Sequence, residues 1–170
     1  MTIIACTDQN WAIGHQNRLL FRVPEDLARF KTLTMGHALL MGRRTFESLP
    51  GLLPGRAHVV LSRDINFAPP GVMVCRSLED GVAAAQALSE VFIIGGGEVY
   101  KALLSQCNTV LVTQIDTAAP LVDTFFPNLD EHSSWTLVST GAWQRSANDL
   151  RFRYCTYKNN RQSGRVVSGH

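Results

Sequence analysis

The chain has 170 residues, 45% of them hydrophobic and 18% charged, and its formal net charge is only +2. This length and composition predict one domain with one core that needs no metal or disulfide for stability. The small charge and the scattered basic residues argue against broad nucleic-acid binding, and no apolar run reaches the ~18 residues that a membrane span needs.

The four cysteines, Cys6, Cys75, Cys107 and Cys155, are too far apart in the sequence to form a CxxC pair. Three of them lie in apolar runs, which is typical of buried thiols in a reducing compartment. Residues 1–8 already show a strand pattern with no charged segment before it, so we expect no secretory signal. The five histidines show no ligand spacing. We therefore expect a cytoplasmic protein without a bound metal and without a membrane or nucleic-acid partner. We also expect a monomer.

Short apolar strands that alternate with helical segments dominate the chain and predict an α/β fold. Six strands are predicted at residues 2–6, 38–42, 58–62, 72–75, 91–95 and 109–116. Four helices are predicted at residues 24–34, 45–49, 78–88 and 98–104, the third of them with Ser77 as its N-cap. Most of these apolar runs lack polar alternation, which is typical of parallel strands buried on both faces.

Residues 135–143 and 150–158 alternate more clearly between apolar and polar side chains, and the polar stretch 144–149 between them suits a turn. We expect these two segments to form an antiparallel pair. The predicted fold is a single α/β domain with a central, mostly parallel twisted sheet of about eight strands, an antiparallel C-terminal edge and about four flanking helices. We place this domain at residues 1–158 and a polar tail at residues 159–170.

One acidic residue, Asp26, lies on the apolar side of the helix predicted at residues 24–34. At ~100° per residue, Leu33 and Phe30 fall within about 40° on either side of it. In one interpretation, Asp26 is a first-turn acid that the helix dipole favours, as Glu25 beside it would be. In the other, Asp26 faces a pocket and binds a ligand with paired hydrogen-bond donors, because an unpaired buried carboxylate is costly. The pattern alone leaves both interpretations open.

Three predicted strands end in residues that suit phosphate binding, at the edge where open α/β sheets bind ligands. The sequences are Met-Gly-Arg-Arg-Thr at 41–45, Leu-Ser-Arg at 61–63 and Gly-Gly-Gly at 95–97. Glycines let a backbone approach a ligand closely, and several arginines at one crevice favour the extra phosphate of NADPH. Each motif alone also fits a solvated helix start or a tight turn. The glycine run does not complete GxGxxG, because Tyr100 occupies the last glycine position.

Taken in order, these motifs resemble the dihydrofolate reductase family from about residue 3 to about residue 157. Six segments carry the resemblance: AIG at 12–14, VPEDLARFK at 23–31, MGRRTFES at 41–48, LPGR at 53–56, IGGGEVY at 94–100 and DTFFP at 123–127. Any one of them is weak, but six in the family's order and spacing are specific. The resemblance implies an NADPH-dependent enzyme that reduces 7,8-dihydrofolate to 5,6,7,8-tetrahydrofolate for one-carbon metabolism, and therefore an antifolate target.

The resemblance also implies which residues bind dihydrofolate. Asp26 would accept hydrogen bonds from the 2-amino group and the adjacent ring nitrogen of the pterin, and Thr113 would support it through its hydroxyl and a water. Arg56 would hold the α-carboxylate of the glutamate tail. Apolar contacts to the two ring systems would come from Ala5, Phe21, Leu27, Phe30, Leu53 and Ile94.

For NADPH, the resemblance implies three groups of residues. The nicotinamide would contact Ala5, Ile13, Gly14 and Ile94, beneath a mobile loop that contains Asn17 and Leu19. The pyrophosphate would lie on Gly95, Gly96, Gly97, Glu98, Val99 and Tyr100, and Gly95-Gly96 resembles a family site that holds a cis peptide. The adenosine-phosphate end would meet Gly42, Arg43, Arg44, Thr45, Leu61, Ser62 and Arg63, with Arg76 as a further candidate.

In this family's chemistry, a hydride goes to C6 of the pterin while N5 gains a proton. Asp26 would raise the basicity of N5 from a distance while water delivers the proton, since no other carboxylate is expected nearby. The chain departs from the family at Leu20-Phe21, where most members have Pro-Trp, so Phe21 cannot offer an indole N–H to a water. Glu98 also stands where some members have a basic residue.

Two other functions remain open from the sequence. A pyrimidine reductase of riboflavin synthesis would share the NADPH features, but it has no need for Asp26 together with Arg56. A non-catalytic NADPH or pterin binder would share most of the binding residues, so the sequence does not separate it from the enzyme.

Overall fold

A computed structural model of the chain describes residues 1–161. Its strands are β1 (Thr2–Thr7), β2 (Ala12–His15), β3 (Arg18–Leu19), β4 (Ala38–Gly42), β5 (Ala57–Leu61), β6 (Met73–Cys75), β7 (Val91–Gly95), β8 (Thr109–Ile115), β9 (Thr124–Phe125), β10 (Trp135–Thr140), β11 (Gln144–Arg145) and β12 (Arg151–Asn159). Its α-helices are α1 (Pro24–Thr34), α2 (Arg43–Ser48), α3 (Leu78–Leu88) and α4 (Gly97–Leu103). Within residues 1–161, no helix is long and apolar enough to cross a membrane.

The main sheet has the strand order β10-β12-β8-β1-β7-β4-β5-β6, and β11 pairs with β12 beside this path. The strands from β8 to β6 in this order pair in parallel, whereas β12 pairs antiparallel with both β8 and β10. This parallel core with its antiparallel C-terminal edge confirms the predicted fold class. The carboxyl ends of β1, β4, β5 and β7 therefore share one edge of the sheet, where α/β proteins bind ligands.

Strand β4 shows why the apolar runs of this chain form strands buried on both faces. Leu39, Leu40 and Met41 are all fully buried. Leu40 packs with Ile93 in one cluster, whereas Leu39 and Met41 pack with Phe92 in a second cluster, because side chains alternate between the faces of a strand. Each fully buried leucine contributes about 1.5–3 kcal/mol, so the run has no position for a polar residue.

Helix α1, which carries Asp26, begins and ends at the residues that the sequence predicts. Pro24 lies in its first turn, where a missing N–H costs no hydrogen bond, and Val23 precedes it in an extended conformation. Its last residue, Thr34, is fully buried. Helix α3 likewise begins after its predicted N-cap, since the Ser77 hydroxyl accepts a hydrogen bond from the Asp80 N–H at 3.1 Å.

A small second sheet, with the order β3-β2-β9, is absent from the sequence-based prediction. Its strands have two to four residues, which is too short for an alternating pattern to be detected. The turn between β2 and β3 contains Gln16 and Asn17 with φ values of 48° and 60°. The Gln16 N–H donates to Asp123 Oδ2 at 2.8 Å and so ties the turn to the segment before β9.

The antiparallel edge differs in detail from the prediction. Strand β10 ends at Thr140 and not at residue 143, and the polar pair Gln144-Arg145 forms β11 against the start of β12. The predicted turn at 144–149 is therefore shorter than expected. A polar pair is compatible with a strand here because both residues are exposed.

Strand β12 continues through Asn159, one residue beyond the predicted domain end at 158. Asn159 is buried, and its side-chain amide donates to the Cys107 carbonyl at 2.9 Å. A polar residue at this position thus belongs to the core of the domain and not to a solvated tail. Residues 162–170 of the predicted tail lie outside the described residues.

Candidate active site

Asp26 and Thr113 are 87 positions apart in the sequence and are in contact in the structure. Asp26 lies in the first turn of α1, and Thr113 lies on β8. The Thr113 hydroxyl donates to Asp26 Oδ1 at 2.5 Å. Thr113 is only 2% exposed, so this hydrogen bond joins the helix to the buried centre of the sheet. The arrangement favours a carboxylate that faces a pocket over a solvated first-turn acid.

Partial burial has the largest effect on the pKa of Asp26. Burial raises the pKa of Asp26, while the hydrogen bond from Thr113 and the positive charge of Arg29 each offset part of that rise. The Cys6 thiol on β1 also has a raised pKa, first because of burial and then because of the negative charge of Asp26. A carboxylate in such surroundings is stabilised by a ligand that donates two hydrogen bonds to it.

Thr113 belongs to a row of three side chains on adjacent strands. Cys6 on β1 pairs with Thr113 on β8, and Thr113 pairs with Tyr154 on β12. Residues paired in this way point to the same face of the sheet, which here is the face that carries Asp26. Phe21 packs in one apolar cluster with Cys6 and Tyr154. No sequence pattern predicts that Cys6 or Tyr154 lies beside Asp26, because only the strand register places them there.

Ala5, predicted to contact both ligands, has its side chain on the other face of the sheet. It is 5% exposed and packs in the cluster that also contains Ile3 and Ile93. The reason is the alternation of side chains along β1, which turns Cys6 toward the pocket and Ala5 away from it. Ala5 therefore offers only its backbone to the pocket.

Three of the residues predicted to contact the substrate form one apolar wall. Phe30, Leu53 and Ile94 lie in the same cluster on the α1 face of the sheet, together with Phe46. Leu27 on α1 is 41% exposed. An apolar residue this exposed beside a half-buried carboxylate suits the mouth of a ligand pocket.

Arg56 lies at the far end of this wall. Its guanidinium carbon is 6.0 Å from the centre of the Phe30 ring, and Nη1 donates to Thr34 Oγ1 at 3.3 Å. Partial burial lowers the pKa of Arg56, which nevertheless stays fully charged. Asp26 and Thr34 are eight positions apart on α1, or about 12 Å along the helix axis. This spacing suits an elongated ligand with donors at one end and a carboxylate at the other.

The ends of β4 and β7 meet at a junction of glycines. The Gly95-Gly96 peptide is cis, as the resemblance implies, and Gly95 has a φ of 129°. A side chain at Gly95 would lie 3.2 Å from Thr45 Oγ1, and one at Gly42 would lie 3.3 Å from Val99 Cγ2. The structure thus brings together residues from two separate predicted motifs. It leaves the backbones of both strand ends without side chains that would keep a ligand away.

Tyr100 lies beneath this glycine junction and not at its surface. It is 5% exposed, and its hydroxyl donates to the Ile4 carbonyl at 2.7 Å. Its ring packs against Phe126 with the centroids 5.0 Å apart. Tyr100 therefore supports Gly95 from the core and is not on the surface of the predicted cofactor site. Glu98, by contrast, is exposed in the first turn of α4.

The arginines predicted for the adenosine-phosphate end fall into two groups. Arg43 is already paired, since it contacts Glu47 and Asp64 at 2.8 Å each. Arg44 and Arg63 are exposed, and within residues 1–161 neither forms an ion pair. The cations available to an anionic ligand at the ends of β4 and β5 are therefore Arg44 and Arg63.

Arg76 orders the loop at 62–67 that follows β5. Its guanidinium donates to main-chain carbonyl oxygens of Ser62, Asp64 and Phe67. It is therefore a structural support of the loop and not a free phosphate ligand. Leu61 also differs from the prediction, because its side chain packs against Gly81 of α3 and leaves only its backbone for a cofactor.

On the predicted nicotinamide side, Ile13 lies near the glycine junction, with its Cδ1 4.0 Å from the position of a Cβ at Gly97. Gly14 follows on β2, and its carbonyl accepts a hydrogen bond from the Asp123 N–H at 3.1 Å. Asn17 and Leu19 are exposed on the turn and strand that follow. The mobility of this loop stays a prediction.

The geometry can be compared with known proteins. A model of the dihydrofolate reductase family matches residues 1–159. The chain is 43% identical over 150 residues to a dihydrofolate reductase of Mycobacterium leprae, covering 85% of this chain and 89% of that protein. It is 32% identical over 158 residues to one of Neisseria meningitidis serogroup B, covering 92% and 96%.

Among solved structures, the fold is similar to that of dihydrofolate reductase from Enterococcus faecalis complexed with NADP(H) and RAB-propyl. The TM-score is 0.83 at 32% identity, and the match covers 94% of this chain and 95% of that one. The resemblance inferred from six short motifs is thereby confirmed over the length of the domain. The chain belongs to the dihydrofolate reductase family.

Proposed function

We propose that the chain reduces 7,8-dihydrofolate to 5,6,7,8-tetrahydrofolate with NADPH, by hydride transfer to pterin C6 and protonation of N5. The observation that carries the proposal is the half-buried Asp26 carboxylate, hydrogen-bonded to Thr113 at one end of an apolar wall that Arg56 closes at the other. Membership of the family supports it, and so does the solved relative whose complex contains NADP(H).

In this proposal the pterin binds to Asp26 through two parallel N–H groups, its 2-amino group and the adjacent ring nitrogen. A carboxylate accepts such a pair in bidentate geometry. The Thr113 hydroxyl fixes the carboxylate by donating to Oδ1. Arg56 binds the α-carboxylate of the glutamate tail. The rings between these two charged ends contact Leu27, Phe30, Leu53 and Ile94, with Phe21 as apolar lining.

The residues at the glycine junction fit NADPH. A Cβ at Gly42 or Gly95 would lie within 3.3 Å of a neighbouring side chain, and Gly95 has a φ of 129°, so both positions favour glycine. A backbone without side chains can be approached closely by a pyrophosphate. Arg44 and Arg63 supply positive charge for the remaining phosphate. When bound, the reduced nicotinamide supplies the hydride. In this proposal the nicotinamide ring contacts Ile13, Gly14 and Ile94, next to the backbone of Ala5.

The proton for N5 arrives through water in this proposal. Asp26 binds the edge of the pterin remote from N5, so it acts by polarising the ring and not by direct transfer. Its negative charge favours the protonated form of N5 and raises the basicity of that nitrogen. Asp26 is therefore a binder and polariser, with Thr113 as its support.

We further propose that the protein acts as a monomer in the cytoplasm. Support for a reducing compartment comes from the four cysteines, all of which are free thiols. Light scattering of the purified protein tests the oligomeric state, and a mass of two or more chains would contradict a monomer. The pyrimidine reductase alternative is not favoured, because it gives no reason for Asp26 and Arg56 at the two ends of one wall.

The function is tested by following NADPH oxidation by absorbance after addition of dihydrofolate, with tetrahydrofolate identified by chromatography. The aminopyrimidine substrate of riboflavin synthesis serves as the control. We expect turnover with dihydrofolate alone. Binding of both ligands without turnover would instead indicate a non-catalytic binder, and turnover with the aminopyrimidine alone would indicate the other reductase.

A further inference from the structure

A stacked pair of side chains lies beside Asp26, and the proposed reaction gives it no role. The guanidinium carbon of Arg29 lies 3.9 Å from the centre of the Tyr154 ring. Arg29 follows Asp26 by three positions on α1, so the two side chains lie on adjacent turns of one face. Tyr154 pairs with Thr113, the hydrogen-bond donor to Asp26. The stack therefore links the helix of the carboxylate to the strand next to its donor.

Tyr154 lies on β12, and the hairpin of β11 and β12 contacts the region of α1 at a second place. The Ala147 N–H, in the turn between β11 and β12, donates to Glu25 Oε1 at 2.8 Å. The Asn148 side-chain amide donates to the Arg22 carbonyl at 2.6 Å. The start of α1 is thus fixed by the turn of this hairpin, and its next turn is fixed by Tyr154.

Arg29 is the positive member of the groups around Asp26. The titratable groups coupled to Asp26 are Arg29 on α1, Cys6 on β1, Tyr154 on β12 and Tyr100 on α4, and Glu25 on α1 is coupled in turn to Tyr154. Burial raises the pKa of the cysteine and of both tyrosines, so all three are neutral at neutral pH. Within residues 1–161, Arg29 is therefore the cation that balances the carboxylate.

A guanidinium stacked on an aromatic ring loses much of its freedom to swing into water. On an open helix surface, the long arginine side chain would spend part of its time far from Asp26. The Tyr154 ring reduces that freedom and keeps the positive charge at the strand that pairs with Thr113. Phenylalanine would present the same face, whereas leucine would not.

We propose that Arg29, held on the ring of Tyr154, is a positioning residue that keeps the Asp26 carboxylate ionised and aligned for its ligand. The inference rests on the proposed function for the identity of that ligand. It goes beyond that function by assigning a role to Arg29 and Tyr154, to which the proposed reaction gives none. Tyr154 acts through Arg29, and Arg29 acts through Asp26.

The test is a titration of Asp26 itself, by ¹³C NMR of carboxyl-labelled aspartate, with the Asp26 signal identified by its loss in Asp26→Asn. We expect Arg29→Met to move the midpoint of the Asp26 titration to higher pH. Tyr154→Leu displaces it in the same direction by less, and Tyr154→Phe leaves it at the wild-type position. Arg29→Lys restores part of the displacement. Lys31→Met removes one exposed charge from the same helix and serves as the matched control.

Steady-state kinetics supply the second readout. We expect Arg29→Met to raise KM for dihydrofolate at neutral pH by about two- to fivefold, the effect of removing one positive charge near a partly exposed carboxylate. KM for NADPH should not change. Arg29→Lys should recover part of the loss, which a merely structural defect would not show.

The two proposals fail in different ways. A wild type that does not oxidise NADPH with dihydrofolate, but whose Asp26 midpoint still moves in Arg29→Met, would overturn the proposed function and support the electrostatic role of Arg29. An active wild type whose Asp26 midpoint is the same in Arg29→Met, Lys31→Met and the unaltered chain would overturn the role of Arg29. A midpoint that moves as much in Tyr154→Phe as in Tyr154→Leu would overturn the stacking.

Discussion

The charged groups at the two ends of the proposed ligand site, around Asp26 and around the arginines that follow β4 and β5, differ in their burial. At the pterin end, burial raises the pKa of Asp26, and one hydrogen bond from a buried threonine fixes the carboxylate. At the phosphate end, Arg43 and Asp64 pair in the open, and a backbone hydrogen bond followed by the contact with Arg43 lowers the pKa of Asp64. Exposed pairs of this kind stabilise a fold only weakly and are screened by salt. In the proposed function, substrate recognition therefore depends on a partly buried charge and phosphate recognition on exposed ones.

The pterin end should give the largest effect when its charge is removed. Asp26→Asn keeps an acceptor for Thr113 but loses the bidentate carboxylate, so kcat/KM for dihydrofolate at neutral pH should fall by about 10²-fold or more. Part of the activity should return at lower pH, where more of the substrate is already protonated. Glu79→Gln removes a first-turn acid from α3 and is the control. Equal rates for Asp26→Asn and Glu79→Gln would remove Asp26 from the mechanism.

A smaller effect is expected at the phosphate end. Replacing both Arg44 and Arg63 by Met should raise KM for NADPH about tenfold, since each cation can bind a phosphate oxygen. KM for NADH should change little, and added salt should shrink the difference between variant and wild type. Arg43→Met should have less effect, because Glu47 and Asp64 already balance its charge. If NADPH and NADH are affected equally, the assignment of these arginines is wrong.

Thr113→Val removes the hydrogen bond to Asp26 and should have a smaller effect on kinetics. Loss of the hydroxyl removes a hydrogen bond that lowers the pKa of Asp26, so that pKa rises further. KM for dihydrofolate should increase about fivefold, because the lost hydrogen bond orients Asp26 and does not itself contact the substrate, so only about 1 kcal/mol is felt in binding. The acidic limb of the kcat/KM profile should move to higher pH. Thr113→Ser should behave like the wild type, and a similar shift in both variants would point to packing instead.

The smallest expected effect is on stability. The pKa of Asp26 is higher in the folded than in the unfolded chain, so the folded state binds the proton more tightly. Stability therefore falls as pH rises from the ordinary carboxyl range through the raised value. Asp26→Asn avoids this cost, and calorimetry at neutral pH should show a Tm slightly above the wild type, with no difference in acid. A lower Tm at neutral pH would contradict the raised pKa.

Much of the fold follows from local sequence patterns. The span of α1 follows from Pro24 at its start, and β4 follows from a run in which Leu39, Leu40 and Met41 must all be buried. The second sheet does not follow, because strands of two to four residues carry no period. The polar strand end at Asn159 does not follow either, since its burial depends on a distant carbonyl of Cys107.

The site divides in the same way. The motifs around Asp26 and the glycines predict the residues at both ends of the cleft, and the structure brings those residues together. They do not predict that Ala5 faces away while Cys6 faces the pocket, because this depends on the register of β1. Nor do they predict the stack of Arg29 on Tyr154, which joins residues 125 positions apart in the numbering of the chain. Contacts between a helix and a remote strand leave no local pattern.

The most direct test of this account is the pH dependence of dihydrofolate binding to the wild type and to Asp26→Asn, measured at equilibrium by calorimetry. We expect the wild-type affinity to fall as pH decreases through the raised pKa of Asp26, because a protonated carboxyl can no longer accept two hydrogen bonds. The variant should bind weakly and with no such dependence. The same pH dependence in both proteins, or equal affinities at neutral pH, would contradict the claim that Asp26 binds the substrate as a carboxylate.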